Sequence, residues 1–223
     1  MSYNIEWFIV YSNNGKNFGG KGMKIIGITG PSGSGKSILA SALRECGISV
    51  IDADELYHSL LVPPSRCLDL IRDAFGAEIF NSDGTLDRPA LARIVFSDEE
   101  KLELLNSTVL SVVIDEAKKI IENLSVQGEQ VAAIDAPTLI ESGFNTECDL
   151  VVSVISDPDT RADRISERDH IGHDDALRRI RAQKDDEFYK RHSDVVIFND
   201  GDIGALTAAA EKILISVKKE HHV

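Results

Sequence analysis

Eight consecutive residues, Gly30-Pro31-Ser32-Gly33-Ser34-Gly35-Lys36-Ser37, carry the pattern G-x-x-x-x-G-K-[ST], whose chemistry is phosphate binding. Its glycines let the backbone bend until successive N–H groups converge on one anion, and a helix opening at the lysine adds the positive end of its dipole. In that arrangement the Lys36 ammonium reaches the terminal phosphates and the Ser37 hydroxyl ligates magnesium. The expected nucleotide-binding residues are Gly30, Ser32, Gly33, Ser34, Gly35, Lys36, Ser37 and Ile38. A plain Gly/Ser turn is the competing reading. Against it stands the preceding run Lys24-Ile25-Ile26-Gly27-Ile28-Thr29, an apolar strand that supplies the strand-to-helix context the motif needs.

Two further groups could act on a bound phosphate. Asp52 and Asp54 stand where a second strand should end; in a strand-like D-x-D both carboxylates share a face, suited to accepting a hydroxyl proton and holding magnesium-bound water. Capping of the next helix, expected to open near Glu55, is the alternative for one of them. Arg161, Arg164 and Arg168 are spaced three and four apart, which puts three guanidiniums on one helix face. Such a face suits a lid that neutralises charge during phosphoryl transfer, or else a solvated surface paired with Asp163, Glu167 and Asp169. Asp135 closes a third strand, in the place of a Walker-B-like carboxylate, with capping or solvent exposure as its other roles.

The elements that must position these groups read as alternating strands and helices. Apolar, β-branched strand candidates fall at 24–29, 49–51, 131–134, 150–155 and 195–198. A helix is expected at 38–45, stopped by Gly47. The pattern implies an α/β fold of the P-loop NTPase type: a doubly wound, mostly parallel five-stranded sheet with a helical substrate-binding insertion and a helical lid. Leu102, Leu105, Val109, Val112, Ala117 and Ile120 form a helical stripe that reads as packing. The expected organisation is a flexible N-terminal extension at 1–22 and a kinase domain at 23–223. Within that domain the core covers 23–60, 130–156 and 190–223, the insertion 61–129 and the lid 157–189.

With 223 residues and 43% hydrophobic content, one substantial core is within reach. The net charge of -13 argues against broad binding to nucleic acid or an anionic membrane, so an anionic substrate must meet local basic groups. Cys46, Cys67 and Cys148 are odd in number and widely spaced, which suggests neither a disulfide framework nor a zinc site. The expected setting is a soluble cytoplasmic protein, monomeric or weakly homo-oligomeric. The absence of an Asn-Lys-x-Asp guanine signature points away from GTPases and toward a small-molecule kinase.

The chain resembles the dephospho-CoA kinase family over most of 23–201. The resemblance is carried by the phosphate loop, by Val50-Ile51-Asp52-Ala53-Asp54, and by Phe75-Gly76 with Asp83-Gly84-x-Leu86-x-Arg88-x-x-Leu91 and Val95-Phe96. It continues in Asp135-Ala136-Pro137-x-Leu139-x-Glu141, Arg164-x-x-x-Arg168, Gln183, and Asn199-Asp200-Gly201 near the end. The resemblance implies transfer of the γ-phosphate of ATP, with Mg2+, to the 3′-hydroxyl of the ribose in dephospho-CoA. It casts Asp54 as general base, with Lys36, Arg164 and Arg168 as the other catalytic groups. Asp52, Arg88 and Glu141 become acceptor-binding candidates, and Asn199 and Gly201 part of an adenine-binding edge. For Arg88 a salt bridge to Asp83 or Asp87 is the alternative.

The chain also departs from the family pattern. Leu110-Ser111 replaces a usual His-Pro, Ile38 a usual Thr, Arg161 a common Gln and Tyr189 a usual Lys. The competing functions are a P-loop kinase for a nucleoside or sugar, and a nucleotide-binding regulator without turnover.

Overall fold

The computed structural model describes residues 10–11, 22–199, 201 and 203–219. The expected flexible extension at 1–22 lies outside the described residues, apart from Val10, Tyr11 and Gly22. In chain order the elements are β1 (Val10–Tyr11), β2 (Lys24–Thr29), α1 (Lys36–Glu45), β3 (Ser49–Asp52), α2 (Ala53–Leu60), α3 (Arg66–Phe75), α4 (Arg88–Val95) and α5 (Glu99–Val126). There follow β4 (Val131–Asp135), β5 (Leu150–Ile155), α6 (Pro158–Asp169), α7 (His173–Arg181), α8 (Asp186–His192), β6 (Val195–Phe198) and α9 (Ile203–Lys219).

The five expected strands form one sheet in the order β3-β4-β2-β5-β6. Strand β2 runs parallel to both β4 and β5, and β5 parallel to β6. The sequence reading did not include the two-residue strand β1, which adds antiparallel to β6 with Val10 opposite Val196. Strands β4 and β5 are buried along their whole lengths, which explains their unbroken apolar runs: a parallel sheet is covered by helices on both faces. Ile26, Ile28, Leu39, Leu43, Val152, Val154, Leu206 and Ile213 form the centre of the core between the sheet, α1 and α9.

Two aspartates pin the register where parallel strands begin. Asp149 accepts the Ile25 N–H at 2.8 Å and the Lys24 ammonium at 3.1 Å, while its own N–H donates to the Ile25 carbonyl at 2.9 Å. Asp194 repeats the device between β5 and β6, accepting the Val151 N–H at 2.8 Å and donating its N–H to the Val151 carbonyl at 2.9 Å. A one-residue slip would turn every buried side chain to the opposite face, so such pins matter most in a sheet buried on both sides.

The chain divides into two compact units, residues 1–51 with 124–223, and residues 52–123. The second is the helical insertion. It begins at Asp52, where α2 follows β3 without a loop. Its core gathers Cys67, Leu68, Ile71, Phe75, Ile79, Leu91, Val95 and Val112, with Leu102, Leu105 and Val109 of the α5 stripe packed against them. Asp194→Ala removes a charged acceptor from a buried amide, which costs roughly 2 kcal/mol. Thermal unfolding should show a clearly lowered Tm for Asp194→Ala and a smaller loss for Asp194→Asn, which keeps an acceptor.

Candidate active site

Between Thr29 and Lys36 the chain reverses from strand to helix in six residues, and steric limits decide which residues can do so. Gly30 has φ of 138°, and a Cβ there would run into the Val154 carbonyl of β5, so the loop crosses the sheet edge at van der Waals contact. Gly35 takes the N-cap of α1 in the left-handed region, and the Ile38 N–H donates to its carbonyl at 3.0 Å. Helix α1 therefore starts at Lys36, two residues before the 38 expected from the apolar pattern. Lys36 and Ser37 lie in its first turn, with Ser37 exposed and Ile38 half-buried against the core.

Four successive carbonyls of the loop are each held by a side chain. Lys36 Nζ donates to Pro31 O at 3.1 Å, Arg161 Nε to Ser32 O at 3.0 Å, Arg164 Nη1 to Gly33 O at 3.1 Å, and Asn199 Nδ2 to Ser34 O at 2.7 Å. The Ser32 N–H is taken as well, donating to Gln183 Oε1 at 3.2 Å. Ser34 is wholly buried and its hydroxyl has no hydrogen-bond partner.

The three arginines expected on one helix face are on α6, and all three reach the loop. Arg161 is 3% exposed. Burial pulls its guanidinium pKa down, while the nearby Asp186 and Tyr189 oppose the shift. Arg164 also donates to Ser156 Oγ at 3.4 Å. Arg168 reaches Ser32 Oγ only at 3.5 Å and is otherwise bound to Asp169, at 2.7 and 3.1 Å. Asp169 additionally accepts from Arg179 of α7 at 2.8 Å. The hydrogen bond from Arg168 leads the effects that lower the Asp169 carboxyl, and the same bond raises Arg168. The solvated-face reading thus holds for the outer end of α6 and fails for Arg161.

The carboxylates depart from the strand-like D-x-D. Strand β3 ends at Asp52, whose Oδ1 accepts the N–H groups of Asp54 at 2.9 Å and Glu55 at 3.0 Å as the N-cap of α2. Asp54 belongs to the first helical turn and is exposed, so the two side chains do not share a strand face. The reason is capping chemistry: an aspartate at a strand end satisfies helix N–H groups two and three residues on. Asp135 is the last residue of β4 and is buried, which rules out solvent exposure as its role.

Arg88 opens α4 and is exposed. Its two candidate partners have local work: Asp87 caps α4 through the Ala90 N–H at 3.0 Å, and Asp83 accepts from the Thr85 hydroxyl at 2.6 Å and N–H at 2.9 Å. Those Thr85 bonds lower the Asp83 carboxyl. Glu141 is exposed after β4. Burial, followed by the Glu141 charge, leads the effects that push the Tyr189 hydroxyl up to about 12. Gly201 is exposed and Asp200 lies outside the described residues. Asn199, expected on an adenine edge, is buried and its amide donates to the Ser34 carbonyl of the loop. Sequence reasoning missed the use of Arg161, Gln183 and Asn199 as loop supports; only the spacing of Arg161 with Arg164 and Arg168 hinted at it.

Comparison with known proteins gives the family and the fold. The family model described as dephospho-CoA kinase (CoaE) matches residues 24–205. The dephospho-CoA kinase of Corynebacterium glutamicum is 36% identical over 192 residues, covering 86% of this chain and 96% of its own. A crystal structure from Thermus thermophilus superposes with a TM-score of 0.72 at 32% identity, covering 88% of this chain and 98% of that one. The dephospho-CoA kinase structure from Campylobacter jejuni, at 21% identity, TM-score 0.65 and the same coverage, shares the fold. With a family model spanning the phosphate loop, the insertion and the arginine helix, the chain belongs to the dephospho-CoA kinase family.

Proposed function

We infer that this chain transfers the γ-phosphate of ATP to the 3′-hydroxyl of the ribose in dephospho-CoA, giving coenzyme A and ADP. The observation that carries the reading is the family match across residues 24–205 on a chain whose phosphate loop is complete.

The physical problem is to bring a weakly nucleophilic hydroxyl in line with a γ-phosphate whose charge repels an anionic acceptor. The N–H groups of Gly33, Gly35, Lys36 and Ser37 at the start of α1 cradle the phosphates, and Lys36 leaves the Pro31 carbonyl for the terminal phosphates. Arg164 and Arg168 neutralise charge developing on the transferred group. Asp54 orients the acceptor hydroxyl and takes its proton, a role open to an exposed carboxylate in a first helical turn. Asp52 acts through the helix start it caps, while Arg88 and Glu141 contact the acceptor. Asn199 serves the nucleotide through the Ser34 carbonyl, with Gly201 in the adjoining turn.

The Ser37 hydroxyl is a hard oxygen donor exposed at the start of α1, which suits magnesium carried in by the nucleotide. When bound, that ion supplies charge neutralisation at the phosphate oxygens. No described helix is long and apolar enough to cross a membrane. The net charge of -13 supports a reading without nucleic-acid or anionic-membrane partners, and the proposal is completed by a cytoplasmic enzyme, monomeric or weakly homo-oligomeric.

Turnover is measured as ADP release from ATP and dephospho-CoA. Asp54→Asn should lower kcat by about 10²–10⁴-fold with the KM for ATP near the wild-type value, as loss of a general base does. Near-normal turnover would overturn the base assignment. Lys36→Met removes charge stabilisation at the transferred phosphoryl group and should lower kcat by roughly 10²–10³-fold. Release of ADP in the same assay with a nucleoside or sugar, and none with dephospho-CoA, would overturn the acceptor.

A further inference from the structure

We propose that Gln183 and Arg161 are positioning residues that fix the Ser32 peptide of the phosphate loop and so set the affinity for the triphosphate donor. The proposal rests on the reading of the loop as the ATP site, and it concerns two residues that need not touch the nucleotide.

The contacts close a ring. The Ser32 N–H donates to Gln183 Oε1 at 3.2 Å; the same oxygen accepts from Arg161 Nη2 at 2.7 Å; and Arg161 Nε returns to the Ser32 carbonyl at 3.0 Å. One residue of the loop is therefore gripped at both its N–H and its C=O, through one guanidinium and one amide oxygen. A guanidinium suits the task because its planar fork offers several donors in fixed directions. There is no slack in the ring. A Cβ added at Gly33 would lie 2.8 Å from the Arg161 carbonyl oxygen, so loop and helix already touch.

The two supports come from different elements. Arg161 is placed by α6, whose Ala162 and Ile165 pack with Ala176 of α7. Gln183 lies between α7 and α8, held by its N–H donating to the Ile180 carbonyl at 3.1 Å. Arg161 is almost fully removed from water, so its donors need protein acceptors, and the Gln183 oxygen and Ser32 carbonyl supply them. Without Gln183 the Ser32 N–H and one arginine donor lose their acceptor together. The loop must then order itself when ATP binds, and that ordering is subtracted from affinity.

The test compares Gln183→Leu with Gln183→Glu, because position 183 is exposed and both variants should fold. Gln183→Leu should raise the KM for ATP, and the Kd for ATP measured by calorimetry, roughly tenfold, with kcat and the KM for dephospho-CoA within about threefold. Gln183→Glu keeps an oxygen that accepts from both Ser32 and Arg161, and should restore both values to within about twofold of wild type. Arg161→Met, which removes the donor to the Ser32 carbonyl as well, should raise the Kd for ATP at least as much as Gln183→Leu. An unchanged KM and Kd for ATP in Gln183→Leu, whatever its Tm, would overturn the proposal, as would a Glu variant no better than Leu. Weakened ATP binding by calorimetry, in an enzyme whose wild type does not turn over dephospho-CoA, would leave the positioning role standing and sink only the acceptor assignment.

Discussion

A peptide group cannot point its N–H and its C=O at the same anion. A loop that turns successive amides toward a phosphate must therefore turn its carbonyls away, and a carbonyl turned into a protein needs a donor. In this chain the donors come from four separate side chains, at Lys36, Arg161, Arg164 and Asn199, acting on residues 31 to 34 in succession. Three of the four carry positive charge, which accumulates around an anion site in an otherwise acidic protein. This arrangement connects the loop to α6 and to the turn after β6.

The sheet makes that convergence possible. Parallel order places the carboxyl ends of β2, β5 and β6 along one edge, where Gly30, Ser156 and Asn199 follow the strands in turn. Asp149 and Asp194 fix the opposite ends, so a shift of register there would displace every donor at the loop. Between β3 and β4 the helices of residues 52–123 build a core of their own.

Much of this was legible in the sequence because it is encoded locally. The phosphate loop, the five strands and the apolar stripe of α5 depend on short-range spacing, and their positions came through with shifts of one or two residues. The arginine face was legible for the same reason. What escaped were contacts set by tertiary placement. Asn199 reads as a turn residue until β6 brings it against Ser34, 165 positions away. Gln183 stands in the sequence only as a residue of the family resemblance, and its partner Ser32 is 151 positions distant. Of the two readings of the Asp52/Asp54 pair, capping holds for Asp52, because the strand period ends where the helix begins. Asp135 could not be assigned a burial from its place beside polar turn residues.

Regiospecific phosphoryl transfer organised by this loop is read out by phosphorus NMR of the product formed from ATP and dephospho-CoA. The expected spectrum shows a new monoester at the ribose 3′ position, with ADP formed in equal amount. A phosphate at any other position, or ATP bound and left intact beside dephospho-CoA, would contradict it.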